Sequence, residues 1–534
     1  MTARIQVGDE EVRPLAGFPK NMRAAAGISP VVAADLDGDG ISELLISTSG
    51  KNSSADTGYL PSGDILAWRQ NGNSFLPRTD SLGTFVSYPG WFYSPPIVYD
   101  FAKNGTVQIA TFRYYRRSSL YGQPIIFNTV DIDGDGSADS ARSPITSLYA
   151  QDVPYYQIAG GKTWVIWAGH GLVTQDSPDM IRLLAGNGKY SGAATFGNEN
   201  HFILITNDSS VSSVNGAAAP QWEVLLANPL SGSPAVAKLI GGESLEIVVL
   251  GKNGQVFVLD SAGNVLRPFP VNVQESISTS PAIADVDGDG KKDIVFTAGE
   301  RIYALNSAGF PLDYFPIKVP TKNPLVASPV IGDIDGDGVL DILVGTEEGL
   351  IFAYNAHGKL LAGFPLQTGG RLVASPTLFK TQSGRAGVAI ASDDHFLYAW
   401  EMNSPYDSSK TPWPMYLHDA QHTGYEGSAP VPRPLTSEFF PASRAYNWPN
   451  PVDRAHGYKT HIRYYVKNPA NVHIRIFDLA GDQVTEFDGP GAGGLDNEVD
   501  WNVANIQSGI YFARIEAAGS GEGGSAVIKI AVVK

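Results

Sequence analysis

Ser280-Pro281-Ala282-Ile283-Ala284-Asp285-Val286-Asp287-Gly288-Asp289-Gly290-Lys291-Lys292-Asp293-Ile294-Val295-Phe296 is the stretch that decides the fold. Two short apolar runs flank a turn crowded with glycines and carboxylates, and Ile302-Tyr303-Ala304-Leu305 follows soon after. Short β-branched and aromatic runs bounded by Gly, Asp and Asn read as strands, and no 3.6-residue periodicity runs through them. The phrase recurs as Ser328-Pro329-Val330-Ile331-Gly332-Asp333-Ile334-Asp335-Gly336-Asp337-Gly338, then Asp341-Ile342-Leu343-Val344, then Ile351-Phe352-Ala353-Tyr354. Weaker copies begin at Ser233-Pro234 and Ser375-Pro376, giving spacings of 47, 48 and 47 residues.

That period fits one four-stranded blade of a β-propeller. A fourth strand is expected after the Gly-Phe-Pro turns at Gly309-Phe310-Pro311 and Gly363-Phe364-Pro365. Ser29-Pro30 and Ser94-Pro95 open two earlier units, the first lengthened by the Gly/Ser-rich stretch Gly50 to Gly63. Two more units, around Tyr155 to Gly171 and Ala193 to Asp208, lack the Ser-Pro. The sequence thus predicts an all-β, eight-bladed propeller over residues 11–427, with seven blades as the alternative because residues 123–221 are degenerate. Gly17-Phe18-Pro19 is placed to complete the sheet begun near Ser375, with Trp413-Pro414-Met415-Tyr416 as the competing strand. Residues 428–437, with three prolines in ten, read as a semi-rigid linker. Residues 438–534 alternate polar and apolar in short runs such as Val472-His473-Ile474-Arg475-Ile476-Phe477, the pattern of a small β-sandwich.

Composition narrows the function classes. The 534 residues carry a formal net charge of −16, which argues against nucleic acid as a partner. Cysteine is absent, so disulfides, thiolate metal sites and thiol nucleophiles are excluded together. No transmembrane segment is expected, since no run of 18 apolar residues occurs. The start of the chain lacks the apolar core of a signal peptide, which leaves either a cytoplasmic protein or a mature or excised portion of a longer precursor, the second being favoured by the tail described below.

The chemistry lies in the turns. Asp-x-Asp-Gly-Asp-Gly-x-x-Asp/Glu occurs four times, and the sixteen carboxylates match the net charge of −16 in magnitude. The first turn offers Asp35, Asp37, Asp39 and Glu43, with the Ile41 carbonyl at the seventh position; the second offers Asp131, Asp133, Asp135 and Asp139, with the Ser137 carbonyl. The third offers Asp285, Asp287, Asp289 and Asp293, with the Lys291 carbonyl; the fourth offers Asp333, Asp335, Asp337 and Asp341, with the Val339 carbonyl. Such clusters repel themselves unless a cation sits among the oxygens. Hard oxygen donors in a flexible ring suit Ca²⁺ better than Mg²⁺ or a transition metal. The helical EF-hand is excluded because its twelfth-position Glu is replaced by Ile46, Arg142, Phe296 and Val344. The plain alternative is an Asp/Gly turn that only caps a hairpin.

Ser-Pro-x-apolar-x-Asp-apolar-Asp-Gly-Asp-Gly, followed by Asp and three apolar residues, resembles the FG-GAP/VCBS repeats of integrin-α-type propellers. The resemblance implies calcium in the four matching turns and an extracellular scaffold whose ligand, protein or glycan, binds on loops of one face. The tail, with Asn447-Trp448-Pro449-Asn450-Pro451, Ile474 to Gly481, Ser508-Gly509-Ile510-Tyr511 and Lys529 to Lys534, resembles the C-terminal sorting domain of type IX secretion and the related hook-capping Ig-like domain. It implies recognition by secretion machinery and an extracellular or outer-membrane-surface location in a Gram-negative bacterium. Trp448 stands where that family usually has Tyr.

Other motifs carry less. Gly519-Ser520-Gly521-Glu522-Gly523-Gly524 satisfies a dinucleotide fingerprint, but a strand follows it instead of a helix. Gly161-Lys162-Thr163 lacks the earlier glycine of a phosphate loop, Tyr156 standing there, and the common hydrolase signatures are missing. His418 and His422 could share a metal, although their phrase resembles the ending of such bacterial propellers, which implies packing. Arg113-Tyr114-Tyr115-Arg116-Arg117, with Tyr121, Tyr155, Tyr156, Trp164 and Trp167, is a candidate sugar-stacking surface, with core and rim packing as its alternative. The expected function is a secreted, calcium-stabilised adhesion or ligand-binding scaffold, with no catalytic residue assigned. A polysaccharide lyase, with Arg113, Arg116, Arg117 and His170 as loose candidates, and the non-catalytic companion of a larger secreted enzyme are the alternatives.

Overall fold

The structure, a computed structural model, describes residues 12–534 except 24–28, 49–61, 77–83, 90, 93–94, 100–106, 117–119, 130–139, 143–147, 150–162, 168–170, 178–179, 184–189, 197–200, 207–208, 216–219, 241–243, 428–438, 441, 443–444, 449, 453–457, 494 and 520. The chain divides into two compact units, Met1–Arg433 and Pro434–Lys534. Apart from a 3₁₀ turn at Ser408–Lys410, the named elements among the described residues are strands.

In the first unit the recurring object is a sheet of four antiparallel strands taken in chain order. Leu230–Ala237, Glu246–Gly251, Gln255–Leu259 and Val271–Asn272 make one such sheet; Ala282–Ala284, Asp293–Ala298, Arg301–Leu305 and Ile317–Lys318 make the next. Val330–Gly332, Asp341–Gly345, Leu350–Asn355 and Leu366–Gln367 make a third, and sheets starting at Val32–Ala34 and Tyr190–Thr195 follow the same order. Between those last two, a six-stranded sheet built on Gln108–Arg116 and Leu120–Asn128 and a three-stranded sheet starting at Thr163–Trp167 depart from the count of four.

Successive sheets stack through their first strands. Tyr190–Thr195 lies against Leu230–Ala237, that strand against Ala282–Ala284, and the series continues through Val330–Gly332 to Thr377–Lys380. Thr377–Lys380 then lies against Val32–Ala34, so the last sheet meets the first. Meander sheets stacked in series, with the last against the first, are the arrangement of a β-propeller. Because each sheet is covered on both faces, Ala282–Ala284 and Asp293–Ala298 are buried along their whole length and read as continuous apolar runs. The Ser-Pro phrase stitches the stack: the Ser233 N–H donates to Ser280 Oγ at 2.9 Å, and the Ser280 N–H donates to Ser328 Oγ at 2.9 Å. These buried backbone donors would otherwise go unpaired at the seam. At the closure Thr377 Oγ1 donates to the Val31 carbonyl at 2.5 Å.

Arg13–Pro14 and Lys20–Asn21 both pair with Phe396–Pro405, so the N-terminal segment completes the sheet begun at Thr377 and covers its edge. Trp413 lies elsewhere. It exchanges backbone hydrogen bonds with Ile331, Pro414 accepts from Leu378, Ala420 from Val98, Thr423 from Thr195 and Gly424 from Val236. The segment 410–426 thus runs along the first strands of four sheets and Ile97–Tyr99 of a fifth, and satisfies donors that the sheets leave unpaired.

One turn differs from expectation. Gly309-Phe310-Pro311 does not precede the fourth strand; it belongs to an earlier turn closed by Asn306 Oδ1 and a Leu305–Pro311 bridge. The phrase that matches Gly363-Phe364-Pro365 is Tyr314-Phe315-Pro316, just before Ile317–Lys318. Tyr314 holds φ 70°, where Gly363 has 81° and Gly17 has 83°. The repeat makes two turns in succession, and the glycine of the second has been replaced here at a cost in backbone strain.

The second unit has two sheets. Tyr446–Trp448, Lys459–Val466 and Leu495–Asn502 form one; Gln483–Gly489, Asn471–Phe477, Gly509–Ala518 and Gly523–Val532 form the other. Ile462, Tyr464 and Trp501 of the first share a core with Ile474, Ile515 and Ile530 of the second, making a sandwich. The Asn450 side chain donates to the Lys529 carbonyl at 2.8 Å and accepts from the Ala531 N–H at 2.9 Å, which pairs the outer edge of Gly523–Val532.

Candidate metal centre

Three of the four acidic turns lie among the described residues; Asp131, Asp133, Asp135, Ser137 and Asp139 lie outside them. Each described turn joins the first strand of a sheet to the second. Gly288 at φ 76° and Gly290 at 85° put the turn into left-handed backbone that a side chain disfavours, and the matching glycines of the other two turns do the same. The curl brings alternate acids together. Carboxylate oxygens of Asp35, Asp37 and Asp39 lie within 4.8 Å of one another, as do those of Asp285, Asp287 and Asp289 and those of Asp333, Asp335 and Asp341. Glu43, Asp293 and Asp337 stand outside these tight groups.

Backbone donors hold the acids in place. The Gly336 and Gly338 N–H groups donate to the two oxygens of Asp333 at 2.8 and 3.0 Å, and Gly38 and Gly40 treat Asp35 alike at 2.7 and 2.9 Å. The seventh-position residues Ile41, Lys291 and Val339 each donate their N–H to the fifth-position acid at 2.8 Å. The ninth-position acid latches the turn: Glu43 accepts from Leu36 at 3.0 Å, Asp293 from Val286 at 2.9 Å and Asp341 from Ile334 at 2.9 Å.

These latching acids are nearly inaccessible, with Asp341 0% exposed and Glu43 and Asp293 each 1%. Burial, aided by the neighbouring carboxylates and opposed by the backbone bond, pushes Glu43 up to about 8, Asp293 to about 7 and Asp341 to about 8. Asp285 Oδ1 and Asp341 Oδ1 are buried with no hydrogen-bond partner. A buried carboxylate oxygen without a donor, facing other carboxylates, is costly unless a cation completes it. The donor set is all oxygen, which fits Ca²⁺.

The three turns differ in their basic neighbours. Arg69 reaches into the first, with Nη2 2.7 Å from Asp37 and Nη1 3.5 Å from Glu43 and 3.7 Å from Asp39. The fourth-repeat turn has the half-exposed Lys410, 3.5 Å from Asp333. The turn at 285–293 has Lys291, 3.8 Å from Asp289 and two-thirds exposed. Sequence reading missed Arg69 because it lies outside the acidic phrase. Aligning the third strands finds it, one residue after Trp68, where Asn306 follows Leu305 and Asn355 follows Tyr354.

A latch without the acidic cluster was missed as well. In the sheet begun at Leu230–Ala237, Glu246 accepts from Leu239 at 2.8 Å and Ile240 at 3.2 Å, although Lys238 stands where Asp285 stands in the next repeat. The other candidates resolve more simply. His422 is 1% exposed, its two ring nitrogens 3.0 Å from the Tyr416 carbonyl and 3.3 Å from that of Pro96, so it packs as part of the segment along the first strands. Gly519 to Gly524 turns the hairpin between Gly509–Ala518 and Gly523–Val532. Tyr155, Tyr156, Arg117 and His170 lie outside the described residues, as do the side chains of Arg113, Arg116, Tyr121, Trp164 and Trp167.

Residues 447–529 match the family of secretion system C-terminal sorting domains. A domain of that kind implies export to the cell surface or beyond and contact with the secretion machinery, and no helix among the described residues is long and apolar enough to cross a membrane. A comparison with curated proteins finds no match. Among solved structures, the chain is similar to Sqt1 of Saccharomyces cerevisiae at 11% identity, covering 73% of this chain and 99% of that one with a TM-score of 0.48. It is also similar to the Dos1 propeller at 10% identity, covering 74% and 96% with a TM-score of 0.47. BamB from Moraxella catarrhalis gives 15% identity, 68% and 99% coverage and a TM-score of 0.41.

Proposed function

We propose that this protein is an exported, calcium-stabilised propeller of the FG-GAP/VCBS type, eight-bladed, that serves as an adhesion or ligand-binding scaffold. The C-terminal sandwich, read as Ig-like, is its export and anchoring module at the surface of a Gram-negative bacterium. The observation that carries the calcium reading is the pair of partnerless buried oxygens, Asp285 Oδ1 and Asp341 Oδ1, each among converging carboxylates. An Asp/Gly turn that only capped a hairpin would need the latch but not the acids around it. In this reading calcium is structural, tying the first two strands of a blade together and stabilising the native state by linkage. The ligand, an extracellular protein or glycan, is held on loops, and the turns supply rigidity.

Two measurements test this. Thermal melting in calcium and in EDTA should differ by many degrees; identical melting in both would sink the calcium reading. Pull-down or glycan-array binding without release of an unsaturated product identifies a scaffold, and formation of that product identifies an enzyme instead.

A further inference from the structure

We propose that Arg69 is a built-in counter-ion of the turn 35–43, so that this turn takes up calcium after the turns 285–293 and 333–341, which are strong sites. The proposal rests on the calcium reading above and assigns unequal roles to turns whose acidic phrases look equivalent.

Position is the first argument. The strands Glu43–Ser47 and Ser62–Trp68 pair with Leu44 opposite Trp68, which sets Arg69 opposite Glu43 at the end of the ladder. The same register sets Asn355 opposite Asp341. Asn306 and Asn355 turn inward on their own loops, each accepting two backbone N–H groups. Arginine has no acceptor and cannot make that turn, so its side chain is released toward the acids. Its guanidinium lies over the Phe75 ring, 5.0 Å from guanidinium carbon to centroid, which fixes its direction.

Hydrogen-bond satisfaction is the second argument. The guanidinium engages Asp37, Asp39 and Glu43 together and so meets Glu43 Oε1, the counterpart of Asp341 Oδ1, while Asp35 Oδ1, the counterpart of Asp285 Oδ1, accepts from the Gly38 N–H at 2.7 Å. In the other two turns Asp285 Oδ1 and Asp341 Oδ1 remain without a donor. Lys410 meets the last turn from its exposed rim through one contact and leaves Asp341 Oδ1 untouched. A delocalised, permanently charged fork held among three acids competes with a metal in a way that an exposed ammonium does not.

The test counts calcium ions bound by the full-length chain, using native mass spectrometry and calorimetry with calcium chloride. In the wild type, Asp293→Asn and Asp341→Asn should each remove one tightly bound ion, whereas Glu43→Gln should remove none. Arg69→Asn should add one tight ion, with affinity at the turn raised at least about tenfold, and Glu43→Gln in that background should remove it again. Arg69→Met, which puts an apolar side chain of similar reach beside Phe75, provides the same gain if the asparagine variant folds poorly. The proposal is overturned if Glu43→Gln removes a tight ion from the wild type and neither Arg69 variant adds one. Absence of calcium from every variant would overturn the calcium reading itself, a different result.

Discussion

The turns 285–293 and 238–246 occupy the same place in consecutive sheets, with the same strands on either side and the same latch. Asp293 accepts from Val286, and Glu246 accepts from Leu239 and Ile240. What differs is the remaining charge: Asp285, Asp287 and Asp289 in one, Lys238, Ile240 and Gly242 in the other. The latch therefore belongs to the hairpin and works without the acidic cluster. The three further acids accept backbone N–H groups of their own turn, Asp285 from Gly290, Asp287 from Asp289 and Asp289 from Lys291, and they add mutual repulsion. Under the calcium reading proposed above, they are the cation ligands and the latch is the hairpin's own.

The largest expected effect concerns the cation. Two strong sites at a hundredfold excess over Kd contribute roughly 5 kcal/mol by linkage. Chelation should lower Tm by about 10 °C at roughly 2 °C per kcal/mol in a domain this large. Next, Asp293→Asn should cost about 2–3 kcal/mol in calcium and little or nothing in EDTA at pH 8, since it removes a buried charge. Glu246→Gln should cost about 1 kcal/mol equally in both, because it weakens only a latch. Equal calcium dependence for the two variants would erase the distinction between the turns.

Protons sharpen the same contrast. Glu43 and Asp341, raised to about 8, and Asp293, raised to about 7, stay protonated in the metal-free native state where the unfolded chain is ionised. The unfolded state then binds fewer protons, so stability in EDTA should fall as pH rises from about 4 toward 8. Saturating calcium should flatten that slope, and calcium uptake near pH 7 should release protons, measurable by calorimetry in buffers of different ionisation enthalpy. The smallest effect is Gly288→Ala. Its side chain meets open space, so only the left-handed backbone at φ 76° is penalised. The cost should be about 1 kcal/mol and smaller than the calcium-dependent cost of Asp293→Asn.

Much of this was legible beforehand. Ser280-Pro281 and its copies gave the period, the apolar triplets gave the strands, and the acid spacing gave the turns, because each signal is local. The sequence reading placed the fourth strand one turn early at Gly309-Phe310-Pro311, since Tyr314 disguises the second turn by occupying a glycine's conformation. It also could not separate Gly17-Phe18-Pro19 from Trp413-Pro414, because both are short apolar phrases and only pairing partners distinguish them. Arg69 was invisible for a similar reason. Its significance lies in the acid opposite it on the neighbouring strand.

The sequence by itself determined a repeating all-β chain, its blade period, its acidic turns and an export-type tail, all written in residues close together along the chain. Only the tertiary structure decided which segment closes the ring of sheets, which one runs along their first strands, and which turn carries its own cation. Those outcomes depend on donors and charges that meet between strands, 26 residues apart for Arg69 and Glu43 and 346 for Thr377 and Val31, and no local pattern encodes where a distant strand will place its hydrogen bonds.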